Sequence, residues 1–365
     1  MIKDMNVLNP IAVHYLMTTS LTWKLTMQPI TNYQALSLQD SELRVRYNDV
    51  TRGVYFIGTT PPKTSTELSD VDGIADKLVD RIKNLAFDGL IVYDIQDEGS
   101  RISKPRPFPF KSTHDPRYYS SLLNKKTGRP VITYKSVVQS EPEVFNQWLN
   151  EAWDQYQVRD IVLVGSPSTQ NQVSLPLHEA YKTIADNEHP FFTGGIMIAE
   201  RHAKKGNEHQ RLIEKYQQGC NFFISQAIYD TQATINLLTR YAIECQEKGL
   251  KPQRIILTFS PCGSAKTLEF IEWLGVSVPE ATSLRILNAD NPLHESIKMC
   301  CNSLNQILEA VVEYDLPLGL NIESLTNRKE EIEGSILLYK LLRSTMDMYL
   351  AQHEFRKQQG LKKPF

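Results

Sequence analysis

A chain of 365 residues is ample for one large core, and an eight-fold α/β barrel with additions fits that length without a second domain. Hydrophobic residues make up 41% and charged residues 22%, and a net charge of −2 gives no electrostatic reason to invoke a nucleic acid or an anionic membrane as partner. No apolar run approaches the roughly 18–20 residues that span a bilayer, and the N-terminus lacks an apolar stretch with a small-residue cleavage site, so a cytoplasmic protein is expected.

The first 50 residues have weak, mixed periodicity and are read as an N-terminal extension (1–50) on a single barrel domain (51–365). From there the chain alternates. Short, apolar, often β-branched runs read as parallel strands buried on both faces: GVYFIG (53–58), GLIVYD (89–94), PVITYK (130–135), DIVLVG (160–165), FFTGGIMI (191–198), NFFISQ (221–226), RIILTFS (254–260) and GLNIES (319–324). Helical patterns lie between them, for example at 70–85, 142–155, 207–218, 231–246, 264–274 and 328–342, with Thr231 and Ser264 as N-caps. A further helical insertion, 291–314, precedes strand 8. Eight strands in strict alternation predict a closed (β/α)8 TIM barrel rather than an open sheet. The cysteines (Cys220, Cys245, Cys262, Cys300 and Cys301) are odd in number and scattered, which suggests neither a disulfide framework nor a zinc site.

In such a barrel the chemistry sits where strands run out into loops. Polar residues gather there: Tyr93, Asp94, Gln96, Asp97, Glu98 and Arg101 after strand 2, Ser166 after strand 4, and Glu200-Arg201-His202 after strand 5. Strand 6 supplies Gln226, Tyr229 and Asp230, and strand 8 supplies Asn321 and Glu323. Gln226 is an amide suited to a heterocycle edge, or else a loop residue capping the next helix. Crowding of the strand-2 carboxylates would raise a pKa and make Asp94, Asp97 or Glu98 a proton donor; the alternative is that Asp97 and Glu98 pair with Arg101 or face water. Arg201 and His202 suit an anion better than a metal, and no metal is expected. Cys262 reads as packing rather than nucleophile. Neither a GxGxxG after a strand nor a GxxxxGK[ST] loop occurs, so a Rossmann or P-loop nucleotide site is unsupported.

The ordered set of Pro61-Pro62, GGIMIAERH (194–202), GCNFFISQAIYD (219–230), FSPCGSAKTLEFIEWLGVSVP (259–279) and GLNIES resembles the methylenetetrahydrofolate reductase family. It is similar to a divergent branch with an ERH segment after strand 5, and the resemblance spans residues 53–343. The resemblance implies a (β/α)8 barrel that binds FAD, takes hydride from NADH or NADPH and reduces methylenetetrahydrofolate to methyltetrahydrofolate. It also implies that Gln226 contacts the pterin ring.

Other positions depart from the family pattern. Gly58 stands where a glutamate serves as general acid. Val164-Gly165-Ser166 replaces the Arg-Gly-Asp that serves flavin and pterin. The tyrosine and histidine used around FAD have no clear match after strand 5; His202 replaces that histidine only with a shifted alignment. Three readings follow: a reductase with a relocated acid, a flavin-independent folate-dependent one-carbon transferase, or a non-catalytic folate- or partner-binding barrel.

The expected catalytic residues are Glu98, Asp94 and Glu200. Substrate is expected at Gln226, Tyr229, Ser166, Tyr93, Asn321 and Glu323, and cofactor at Arg201, His202 and Gln96. The expected ligands are a tetrahydrofolate derivative, FAD and NADH or NADPH. Association of the chain with itself is compatible with this reading.

Overall fold

The computed structural model describes residues 42–97, 104–138, 140–165 and 173–360. Glu98, Arg101, Ser166 and residues 1–41 of the predicted extension lie outside them.

Eight strands form a closed parallel barrel in sequence order: β1 (Tyr55–Thr59), β2 (Gly89–Val92), β3 (Val131–Ser136), β4 (Asp160–Val164), β5 (Phe192–Met197), β6 (Phe222–Ala227), β7 (Arg254–Phe259) and β8 (Leu318–Glu323). The predicted (β/α)8 fold is therefore the observed one. Each strand ends within two residues of its predicted run, because parallel strands buried on both faces are continuous apolar segments. The barrel closes where β8 pairs with β1, in a register that sets Phe56 against Asn321 and Gly58 against Glu323.

Alternate residues of each strand serve two cores. Phe56, Ile91, Ile132, Val162, Phe222, Ile224 and Ile256 fill the barrel interior. Their neighbours Ile57, Leu90, Val92, Ile161, Phe223 and Ile255 pack outward under the helices. This two-sided burial follows from the period of two along a strand.

The outer layer comprises α2 (Leu68–Ile82), α3 (Pro116–Thr127), α4 (Pro142–Asp154), α5 (Leu177–Asp186), α6 (Ala199–Lys205), α7 (Glu208–Gln217), α8 (Thr231–Glu247), α9 (Ala265–Trp273) and α12 (Lys329–Gln358). Between α9 and β8 lie α10 (Glu280–Leu287), α11 (Pro292–Val311) and a 3-10 turn (Val312–Tyr314), so the predicted insertion is helical and begins earlier than the sequence pattern indicated. Ser264 caps α9 as expected, accepting from the Thr267 amide at 3.2 Å. The cap of α8 is Asp230 rather than Thr231: its carboxylate accepts from the Ala233 amide at 2.9 Å, while the Thr231 hydroxyl meets Ser303. Among the described residues, no helix is long and apolar enough to cross a membrane.

A short helix, α1 (Glu42–Tyr47), closes the end of the barrel where the strands begin. Tyr47 enters the interior and stacks on Phe222, with ring centroids 4.8 Å apart. Arg254, 1% exposed, fastens the following turn by donating to the carbonyls of Arg46, Tyr47, Asp49 and Arg52 and to that of Leu318. One fixed guanidinium thus satisfies several carbonyls that regular structure leaves open. With that end shut, the opposite end is left for a ligand.

Candidate functional site

A cavity of about 1610 Å³ opens at the C-terminal ends of the strands and continues between the barrel and its helices, since its lining also takes Ile82 at the end of α2 and Gln218 after α7. A pocket for one drug-sized ligand is typically about 300–1,000 Å³.

Its floor is built from inward positions at the strand ends: Gly58 of β1, Tyr134 of β3, Gln226 of β6, Thr258 of β7 and Glu323 of β8, with Tyr93 just past the end of β2. Gln226 reaches the cavity at an irregularity of β6, where the register with β7 shifts between Ile224 and Ala227. Tyr93 packs edge-on against Tyr134, with centroids 4.8 Å apart. The Asn321 amide donates to the Tyr93 hydroxyl at 2.7 Å and to Thr258 Oγ1 at 3.2 Å. The Tyr93 phenol lies beside the Glu323 side chain, both of them against Gly58. Burial pushes Glu323 up to about 7, against the smaller opposing effect of that phenol.

Gly58 is a packing requirement as well as a missing acid. A Cβ there would lie 2.9 Å from Tyr93 Oη and 3.0 Å from Glu323 Cβ. The volume a side chain at 58 would need is already filled from β2 and β8.

The other expected residues divide. Asp94 and Gln96 line the cavity, and the Gln96 amide donates to Asp94 Oδ1 at 2.6 Å. The second Asp94 oxygen accepts from the Ser136 amide at 2.8 Å. Its carboxyl is raised above the usual range mainly by burial; the nearby carboxylate that contributes is Asp115, so crowding by Asp97 is not the cause. Arg201 also lines the cavity, held by Glu208 at 2.9 Å.

Four expected residues stand outside the lining. Glu200 is buried and accepts from the Ser277 amide at 3.1 Å, tying α6 to the segment after α9. His202 turns toward His209, whose Nε2 lies 2.8 Å from Glu244, and burial lowers the pKa of both imidazoles. Tyr229 packs in a satellite cluster with Cys262 and Leu268 and donates to the Ser260 carbonyl at 2.7 Å. Asn321 is fully buried beneath the floor and acts on the cavity through Tyr93 and Thr258. The Cys262 thiol is buried and pushed up to about 12, which suits packing and not nucleophilic attack.

Sequence reading missed the basic wall. Arg81 of α2, Arg211 and Lys215 of α7, and Lys63, Lys111 and Arg328 of the loops border the cavity. Lys215 is the most deeply set: its ammonium donates to the Ile196 carbonyl at 2.5 Å, and burial lowers its pKa. Inspection of strand ends alone does not find side chains that reach in from helices.

The flavin implied by the resemblance does not fit the described residues at its two expected places. After β4, Val164 stands in place of the family's arginine and offers a flavin no hydrogen-bond donor. After β5, His202 is engaged with His209. Among the described residues, no group of three or more His, Cys, Asp or Glu side chains is placed to hold a metal ion.

No protein-family model and no curated protein matches the chain. Among solved structures, an uncharacterized protein from Clostridium thermocellum that binds two copies of 5-methyl-5,6,7,8-tetrahydrofolic acid is 35% identical, with a TM-score of 0.70. The match covers 81% of this chain and 96% of that one. The dihydropteroate synthase of Xanthomonas albilineans is 12% identical over 81% of this chain and 94% of its own, with a TM-score of 0.41. A GH113 β-1,4-mannanase is 12% identical over 80% of this chain and 98% of its own, with a TM-score of 0.45.

Proposed function

The chain belongs to the same family as the Clostridium thermocellum protein, and from that premise we propose that it binds a reduced folate at the open end of its barrel and carries out one-carbon chemistry on it without a flavin. The observation that carries the reading is the relative's ligand, 5-methyltetrahydrofolate, together with a cavity here large enough for that molecule. Gln226 reads the pterin edge through its amide, which can donate and accept in one plane. The cations of the wall, Arg81, Arg211 and Lys215 among them, suit the carboxylates of the glutamate tail.

Two reactions fit this arrangement. One is reduction of methylenetetrahydrofolate to methyltetrahydrofolate, of the methylenetetrahydrofolate reductase type, with NADH or NADPH as the second occupant. The other is transfer of the methyl or methylene group to an acceptor. The absence of a flavin fit favours direct reaction between two molecules held together.

Calorimetry with 5-methyltetrahydrofolate tests the reading. Binding is expected, and Gln226→Ala is expected to weaken it by about tenfold, the value of one or two hydrogen bonds. A wild-type chain that binds no tetrahydrofolate would sink the proposal. Oxidation of NADH or NADPH by methylenetetrahydrofolate, with no flavin added, then assigns the reductase.

A further inference from the structure

We infer that Glu323 is the proton donor of this site, delivering its carboxyl proton to a bridging nitrogen of a methylene-bridged reduced folate. The inference rests on the folate reading above and adds the catalytic residue, which the sequence placed elsewhere.

Location is the first argument. Glu323 ends β8 on its inward face, lines the cavity, and stands in register with Gly58 across the seam that closes the barrel. The absent side chain at 58 leaves that space to Glu323 and Tyr93, whose atoms would lie within 3.0 Å of a Cβ there.

Hydrogen bonding is the second. Tyr93 accepts from the Asn321 amide at 2.7 Å, so its single hydroxyl proton is free to point at Glu323. Glu323 itself lines the cavity, where a ligand can reach its carboxyl. Competing acids are differently placed. Asp94 accepts from the Ser136 amide and from Gln96, both of which favour its charged form. Glu200 lies outside the lining and accepts from Ser277.

The surroundings keep Glu323 near neutrality as an acid. The titratable groups facing it are phenols: Tyr93 after β2, Tyr134 of β3 and, farther off, Tyr229 after β6. Burial raises it to about 7, so at neutral pH the acid and the carboxylate are both well populated, as a proton donor that must be recharged requires.

The step is chemically closed. A methylene carbon held between two nitrogens is an aminal. Protonation of one nitrogen by Glu323 lets the lone pair of the other form a C=N bond. The C–N bond to the protonated nitrogen breaks, with its electron pair staying on that nitrogen as an amine. The products are an iminium ion and the Glu323 carboxylate beside it. Nothing is oxidised or reduced, and the iminium is the electrophile that either a hydride donor or a transfer acceptor needs.

The test is exchange of labelled formaldehyde into methylenetetrahydrofolate, alongside calorimetric binding of 5-methyltetrahydrofolate. The wild type is expected to accelerate exchange, with a rate that falls as pH rises through about 7, because the protonated acid is required. Glu323→Gln is expected to bind within about threefold of wild type and to lose exchange by about a hundredfold or more. Tyr93→Phe removes a neighbouring hydroxyl that favours the carboxylate, so the falling limb moves to higher pH.

Exchange retained by Glu323→Gln, or a wild type that binds folate without accelerating exchange, overturns the inference and leaves the folate reading standing. If Glu323→Gln does not fold, the Tyr93→Phe limb decides, and an unmoved limb overturns it. A wild type that binds no folate removes both.

Discussion

Asp160 opens β4 at the closed end of the barrel, 4% exposed, with no hydrogen-bond partner for its Oδ1. Burial raises its carboxyl from the ordinary value just under 4 to about 6, despite Arg44 and Arg159 nearby. A carboxyl raised by folding binds more protons in the folded chain than in the unfolded one between those two values. Stability therefore falls as pH rises through about 4 to 6, and the whole penalty is present above that window. Two pKa units correspond to about 3 kcal/mol at most. Asp160→Asn is accordingly expected to gain about 1–3 kcal/mol in urea unfolding at pH 7 and close to nothing near pH 4. A gain of equal size at both values would assign the effect to packing instead. Asp160, buried, and Glu323, partly buried, are both carboxyls on inward strand positions. Only Glu323 has a phenol beside it and a cavity above it, and that difference separates a structural burden from a chemical group.

Between elements, Glu331 is the clearest joint. It lies in the first turn of α12, 2% exposed, and accepts from the Gly263 amide at 2.9 Å, from Thr267 Oγ1 at 2.7 Å and from the Thr326 hydroxyl. It thereby binds the loop after β7 to the loop after β8. Glu331→Ala is expected to cost about 2–4 kcal/mol by urea titration, because several donors lose a charged acceptor in a buried place. Glu331→Gln, which keeps part of the network, should fall between.

Elements were also the scale at which the sequence was most legible. The strands were readable because burial on both faces writes a short apolar run. The last helix was read to stop at Leu342 and instead continues to Gln358. Apolar periodicity fades there, but the following Met, Ala, Gln and Lys residues still favour a helix, and Gly360 with its positive φ ends it. Site residues were readable where a regular strand dictates direction, as for Glu323, while Gln226 reaches the cavity at the irregularity of β6. They were not where a residue lies on a loop or in a helix turn: Glu200, His202 and Tyr229 stand past strand ends, where no alternation fixes which way a side chain points. An acid was expected after strand 2, at Asp94 or Glu98, or after strand 5, at Glu200, because the pairing that sets Glu323 of the last strand against Gly58 of the first is invisible in a linear reading.

Across the whole molecule, Arg254 decides whether the barrel has a closed end. Its guanidinium reaches carbonyls on both sides of the turn after α1 and the carbonyl of Leu318 at the start of β8. Arg254→Met is expected to cost about 3–5 kcal/mol, since the carbonyls it served lose a charged donor together. Hydrogen exchange should locate the damage: the amides of Asp49 and Arg52, bonded within that turn, should lose protection first. Uniform loss across all strands would show that the arginine supports the barrel wall and not its end.

The seam between β1 and β8 has a further consequence, for the order of events during synthesis. The floor of the cavity takes Gly58 from near the start of the barrel and Glu323 from its last strand. A growing chain can present Gln226, Tyr93 and most of the wall while still attached to the ribosome, yet its pocket has a gap where the acid belongs. The acid therefore joins the site only when β8 closes the barrel, and a chain cut short before β8 lacks the proposed chemistry.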